Sequence, residues 1–278
     1  MSEAVRPLIE AWRASPLGRS ARGGAVARRI ERTAKRAGKS ILGQFAGSRF
    51  RPLQTELVFG QNGVAPIMLT LADGSTVYLQ GRIDRIDVLE DGGTQIRVID
   101  YKSGLKRFDP TMAYWGIQLQ LLIYLAAALT ELPGTEPAGF FYCRIADPTV
   151  KTESRIREEV ERQIAKKLSL AGISLSDVEV LRAQGSAHAA MITKDGRPSG
   201  IYKGSMTDEE GMAQLVRFAR RKAAELAQDA YAGIIDDAPA ERLTYNACAT
   251  CSYAGICGFD PAVKARRRLS KKGIEDLR

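Results

Sequence analysis

Hydrophobic and polar positions alternate with two distinct periods along this chain. Over residues 25–45, "AVARRIERTAKRAGKSILGQF", apolar groups recur every three or four positions with Arg and Lys between them, which predicts an amphipathic helix. The pattern then becomes extended. Residues 50–59 "FRPLQTELVF", 66–71 "PIMLTL", 76–90 "TVYLQGRIDRIDVLE" and 94–104 "TQIRVIDYKSG" read as strands, separated by the turn signals "ADGS" and "EDGG". Together they predict an antiparallel meander. A long helix is expected over residues 111–132, "TMAYWGIQLQLLIYLAAALTEL", and a further strand over "PAGFFYCRIADP", closed by Asp147-Pro148. Strand, helix, strand implies a mixed sheet with a crossover. Helices are expected again over residues 154–170 and 207–233, before a cysteine-bearing loop.

The fold class expected is therefore α/β, a central mixed β-sheet flanked by helices. Three segments are expected along the chain: a basic helical segment over 1–48, a body over 49–260 that includes the Cys loop 242–260, and a basic tail over 261–278. With 278 residues, 45% of them hydrophobic, the chain has enough apolar side chains for one large domain or two modest ones. No apolar run approaches the roughly 18 residues of a membrane span, and the first residues lack a signal-peptide core, so a cytoplasmic protein without a membrane partner is expected.

Lys and Arg number 41 against 32 Asp and Glu. The excess is concentrated near the start and in "KARRRLSKKG" at 264–273. Such clusters suit a polyanion, because each neutralised phosphate releases counterions, but they also suit a merely solvated surface.

Residues 80–104, "QGRIDRIDVLEDGGTQIRVIDYKSG", place charge inside apolar strands. With the two-residue period of a strand, Asp84 shares a face with Ile86, and Val98, Asp100 and Lys102 share another. A hairpin folded about Gly92 sets Asp84 opposite Asp100, with Cβ atoms about 4.5 to 5.5 Å apart. Two bare carboxylates so close repel, and a divalent cation removes the repulsion. Mg²⁺ takes one or two carboxylates and fills its other positions with water and phosphate oxygens. Lys102 would then hold water and balance charge on phosphorus. A sheet edge carrying surface ion pairs with Arg82, Arg85 and Arg97 is the alternative. Gln120 and Tyr124 share a helix face, either as site residues or as a surface Gln and a core Tyr. "AGKS" at 37–40 lacks both the first glycine and the preceding strand of a phosphate-binding loop. His188, in "AQGSAHAAM", is read as a loop residue, and Cys143 as a buried, inert thiol.

"GRIDRID", "VIDYKSG" and "QLQLLIY", in that order, resemble the PD-(D/E)XK nuclease superfamily, specifically its RecB-like branch. "FRPLQTELVFG", "PAGFFYCRIADP" and "CATCSYAGICGFD" extend the resemblance to AddB-type nuclease domains of AddAB helicase-nucleases. The resemblance implies a restriction-endonuclease-like core and Mg²⁺ (or Mn²⁺) dependent hydrolysis of DNA phosphodiesters during double-strand-break processing. It implies that Asp84 and Asp100 are metal ligands, that Tyr101 adds its main-chain carbonyl, and that Lys102 is catalytic, with Gln120 and Tyr124 forming a Gln-x-x-x-Tyr motif. Glu56 matches an acidic position of the family. Cys248, Cys251 and Cys257 match three of the four cysteines that hold a [4Fe-4S] cluster, zinc being the alternative. The implied partners are single-stranded DNA fed from a helicase and an AddA-type helicase-nuclease protein. The family's upstream metal-binding histidine and fourth cysteine have no counterpart here, so the chain is expected to be the C-terminal piece of a longer protein, a divergent short protein being the alternative. A catalytically incomplete DNA-binding or assembly module is the rival expectation.

Overall fold

The structure, a computed structural model, describes residues 2–61, 63–90, 92–151, 156–234, 236 and 238–278. Two helices open it, α1 (Ser2–Ala14) and α2 (Ala21–Ala46). Ser20 starts α2 by accepting the Gly23 N–H at 2.9 Å, which satisfies one donor that a helix start leaves unpaired. Residues 37–40 lie within this continuous helix, in agreement with the absence of a phosphate loop.

The strands that follow are β1 (Phe50–Phe59), β2 (Ile67–Thr70), β3 (Thr76–Leu79), β4 (Gly81–Leu89) and β5 (Gln95–Lys102). The expected meander is corrected at β2 and β3, which pair with each other in a separate hairpin while β1 lies beside β4. Their turn is closed locally, Asp73 Oδ1 accepting both the Ser75 N–H (2.9 Å) and hydroxyl (2.6 Å).

The single helix expected over 111–132 is also corrected. It is two helices, α3 (Pro110–Tyr114) and α4 (Gln120–Glu131). Gly116 adopts φ 79°, a conformation glycine takes without steric cost, and the Ile117 and Gln118 N–H groups both turn back to the Met112 carbonyl at 2.8 and 3.2 Å. Helical periodicity persists through the break and hides it.

Next come β6 (Glu136–Arg144), α5 (Arg157–Lys167), β7 (Ala171–Leu175), α6 (Val178–Ala183), α7 (Ser186–Ala189), β8 (Met206–Thr207) and α8 (Glu209–Tyr231). The start of the helix expected at 154 falls outside the described residues. The remaining strands are β9 (Ala240–Arg242), β10 (Tyr245–Asn246) and β11 (Arg267–Arg268). The main sheet has the order β1-β4-β5-β6-β7-β8. It is mixed: β4–β5 and β6–β7 run antiparallel, β5–β6 and β7–β8 parallel. No helix among the described residues is long and apolar enough to cross a membrane.

The chain divides into two compact units, Met1–Leu57, Arg82–Phe108 and Ala128–Glu209 in the first, Val58–Gly81, Asp109–Ala127 and Glu210–Arg278 in the second. In the first, one face of the sheet carries Ile99, Phe141 and Cys143 against Ile41 of α2. The same face holds three fully buried charges. Arg85 Nε lies 2.9 Å from Asp87 Oδ1, and Arg97 Nε donates to Asp87 Oδ2 at 2.9 Å. Phe45 and Tyr101 stack on the Arg85 guanidinium at 5.0 and 5.6 Å, and Phe50 on that of Arg97 at 4.7 Å. The reading of Arg85 and Arg97 as surface charges is thus overturned. Cys143 is a buried free thiol whose sulfur accepts from Gln44 at 3.4 Å, and burial pushes its pKa up. His188 is no loop residue either. It is buried in α7, edge-on to Phe141 at 5.1 Å, and desolvation lowers its pKa from 6.5 to about 4, the charge of Arg97 adding to the effect.

In the second unit, the basic stretch near the C-terminus is ordered. β11 pairs with β9, and Leu269, Ile274 and Leu277 are buried. Lys272 sits 4.6 Å over the Tyr114 ring and Arg267 6.0 Å over that of Trp115.

Two stability effects follow. Asp87→Ala leaves two guanidiniums buried without a carboxylate and should cost about 3–5 kcal/mol in urea denaturation. An unfolded histidine takes up a proton as pH falls through 6.5, whereas folded His188 does so only near 4. Stability is therefore full above 6.5 and declines between 6.5 and about 4, by on the order of 3 kcal/mol. Denaturation midpoints compared near neutrality and near pH 4 should show a smaller acid loss in His188→Gln than in the wild type.

Candidate active site

Strands β4 and β5 pair Arg85 with Ile99, Ile86 with Val98 and Asp87 with Arg97. Continued one step past the last of these pairs, the register would set Asp84 against Asp100, and the charge of Asp84 does reach Asp100. The Tyr101 N–H donates to Asp84 Oδ2 at 2.7 Å, which fixes that carboxylate across the strand pair. Asp100 is 1% exposed, and Lys102 Nζ stands 2.5 Å from its Oδ2. The two form a close ion pair, in which Oδ2 is shielded from solvent. Burial pushes the Asp100 pKa above the ordinary carboxylate value and the Asp84 charge adds to this, while Lys102 opposes it.

A buried carboxylate beside a second carboxylate is a fitting ligand set for a divalent cation, which would compete there with the Lys102 ammonium. Tyr101 can contribute only main-chain atoms to this face. Its side chain lies on the opposite one, where Arg85 Nη1 donates to its hydroxyl at 2.8 Å.

Strand β6 completes the surroundings. Its parallel register sets Tyr142 beside Asp100 and Arg144 beside Lys102, so these side chains emerge on the same face. The segment after β5 folds over them. Phe108 packs edge-on against Phe140 at 5.1 Å, and Lys106 Nζ lies 5.2 Å from the centre of the Tyr142 ring. Loss of hydration, followed by the charge of Lys102, lowers the Lys106 pKa, with Asp100 pulling it up. Sequence reasoning missed Lys106, Tyr142 and Arg144. The two-residue spacing in "FFYCRIAD" was visible, but the register of a parallel strand reached through a crossover was not.

The other expected site residues have partners of their own. Glu56, at φ 55°, pairs with Arg82 at 3.0 Å, and both side chains are exposed. No three His, Cys, Asp or Glu side chains among the described residues converge as metal ligands would, so Glu56 does not join Asp84 and Asp100. Gln120 and Tyr124 lie in the second unit and satisfy each other, Gln120 Nε2 donating to the Tyr124 hydroxyl at 2.9 Å. Gly81 makes room there: a Cβ would come within 2.8 Å of the Phe59 ring and 3.5 Å of the Tyr124 ring.

Cys248, Cys251 and Cys257 are free thiols, the last two exposed. They are not gathered into a ligand set, and three thiolates are one short of what a [4Fe-4S] cluster ordinarily takes. The cysteine loop alone therefore does not fit that cluster.

Several proteins named as a subunit of an ATP-dependent helicase/deoxyribonuclease are similar to this chain. The one from Alkaliphilus metalliredigens (strain QYMF) is 36% identical over 84% of this chain and 21% of its own length. That from Clostridium kluyveri (strain NBRC 12016) is 35% identical over 91% and 23%, and that from Clostridium tetani (strain Massachusetts / E88) 36% over 95% and 24%. The chain thus spans about a quarter or less of the length of these relatives. Residues 1–258 match the family described as the PD-(D/E)XK nuclease superfamily, whose restriction-endonuclease-like α/β core accords with the mixed six-stranded sheet; the chain belongs to that superfamily.

Proposed function

We propose that this chain is the nuclease domain of an AddAB-type helicase-nuclease and hydrolyses DNA phosphodiesters during the processing of double-strand breaks. The observation that carries this reading is the pair of neighbouring carboxylates Asp84 and Asp100, the second of them buried, with the Lys102 ammonium beside it. The relatives' name, a subunit of a helicase/deoxyribonuclease, supports DNA as the substrate class and an AddA-type partner; delivery of a single-stranded end by that helicase is part of the proposal.

Asp84, Asp100 and the Tyr101 main chain would hold Mg²⁺ or Mn²⁺. When bound, such an ion supplies Lewis acidity at phosphate oxygen and lowers the pKa of water. The protein's own groups do the rest. The Tyr101 N–H aims Asp84, the strand pairing holds Asp100 still, and burial keeps solvent from Asp100. The Lys102 ammonium is placed to orient water and to offset negative charge on the phosphoryl oxygens, a preorganised electrostatic contribution. Water's oxygen bonds to phosphorus, the P–O ester bond breaks, and the departing sugar oxygen takes up a proton. One end is left as a phosphate monoester and the other as a hydroxyl.

Gln120 and Tyr124 are proposed as the family's Gln-x-x-x-Tyr motif, prealigned by their hydrogen bond. A [4Fe-4S] cluster on Cys248, Cys251 and Cys257 requires a fourth thiolate from elsewhere; Cys143 is committed to the core.

One observation favours a second reading, a nuclease fold kept for DNA binding or assembly. Lys102 already neutralises Asp100, and no third acidic ligand joins the pair among the described residues. Incubation of labelled single-stranded DNA with Mg²⁺ or Mn²⁺ separates the two, since salt-sensitive binding without cleavage supports the second.

In the same assay Asp100→Ala should lower cleavage by roughly 100-fold or more, the scale of losing one preorganised contact. Because burial penalises the Asp100 charge, its thermal midpoint should be unchanged or higher than wild type. Metal-dependent cleavage retained in Asp100→Ala would overturn the assignment.

A further inference from the structure

Asp84, Asp100 and Lys102 are not the whole of the charge at this strand end. Lys102 and Arg144 are register partners on parallel strands, and their side chains rise from the same face. Arg144 Nε is shielded from solvent and has no hydrogen-bond partner. Lys106 comes from the segment after β5. Phe108 anchors that segment on Phe140, and two residues earlier Lys106 reaches back to the ring of Tyr142, the strand neighbour of Asp100. Lys102 Nζ lies 6.0 Å from the centre of the same ring. Two ammonium groups thus share one aromatic side chain that is itself only 2% exposed.

Like charges gathered this closely repel. A ring quadrupole offsets only part of that, about 0.5–1 kcal/mol at exposed sites and about 2 or more when desolvated. Lys102 has a carboxylate partner in Asp100. Lys106 has the ring as its contact and remains largely exposed, so its ammonium can meet an incoming anion. Lys102 and Lys106 both act on Asp100, Arg144 is the strand neighbour of Lys102, and the anion that suits such an excess of positive charge is a phosphodiester.

We propose that Lys106, with Arg144 beside it, forms a second phosphate contact of the site, holding a backbone phosphate of the nucleic acid next to the one that is cut. The inference rests on the nuclease reading above and deepens it. The scissile phosphate belongs to Asp84, Asp100 and Lys102, and the neighbouring one to Lys106 and Arg144. Lys106 is a positioning residue in this scheme: it fixes the register of the strand and takes no part in bond breaking.

The test is equilibrium binding of a labelled single-stranded oligonucleotide to the full chain in chelator, across a salt series, for wild type, Lys106→Ala and Lys106→Arg. One lost phosphate contact should reduce the slope of log affinity against log salt by about 0.7 in Lys106→Ala, with weaker binding throughout. Lys106→Arg should keep the wild-type slope. With Mg²⁺ present, Lys106→Ala should raise KM and leave kcat near wild type, the mark of lost ground-state binding. A structural role would move the thermal midpoint and leave the salt slope unchanged. Wild-type slope and affinity in Lys106→Ala overturn the proposal. A slope change in chains that never cleave supports the phosphate contact while the nuclease reading fails, and a wild-type chain that does not bind single-stranded DNA overturns both.

Discussion

The buried group formed by Arg85, Asp87 and Arg97 holds the register on which the rest of the site depends. Asp87 and Arg97 are direct partners across β4 and β5, and Arg85 adds its guanidinium from two residues along the same strand. A slip of one residue would turn Asp87 to the opposite face and leave a guanidinium buried without its carboxylate. Burial presses against the charge of Arg97 and lowers its pKa, and Asp87 offsets part of that. Such a group need not add net stability over an apolar core, but it makes one register far better than its neighbours. In that register Asp84 faces Asp100.

The two faces of the hairpin are accordingly divided. Odd-numbered positions of β5, Arg97, Ile99 and Tyr101, lie on the face where Ile41, Gln44 and Phe45 of α2 pack and where Phe141, Cys143 and His188 complete the interior. Even-numbered positions, Asp100 and Lys102, share the other face with Tyr142 and Arg144. Asp100 is buried enough for its charge to be unfavourable. The strand pairing that supports it supplies the stability this position gives up.

Net charge conveys less about the surface than its total suggests. On α2, Arg32, Lys35, Arg36 and Lys39 are paired with Glu31, Asp147 and Glu161. Near the C-terminus, Arg267 and Lys272 lie over Trp115 and Tyr114, and Arg266 is paired with Glu241. Part of the positive charge that a sequence count assigns to a polyanion is thus paired with acidic or aromatic side chains of the chain itself.

Local patterns were readable from the sequence alone because they depend on short-range physics. The period of α2, the strands β1 and β5 and the hairpin register about Gly92 follow from neighbours along the chain and one tight turn, whereas the single strand expected over 76–90 is divided between two sheets. The order of motifs was enough to suggest the superfamily. Tertiary structure alone decided what comes through a crossover or a core. The partnering of Tyr142 and Arg144 with Asp100 and Lys102 depends on a parallel register set far along the chain. Arg85 and Arg97 were candidates for surface ion pairs until the fold buried both with Asp87, and His188 looked like a loop residue until Phe141 packed against it. Periodicity ran unbroken through Gly116, where a backbone turn divides the helix. The reason is the same in each case: sequence period reports which way a side chain points, whereas burial and partnership are set by segments distant in the chain.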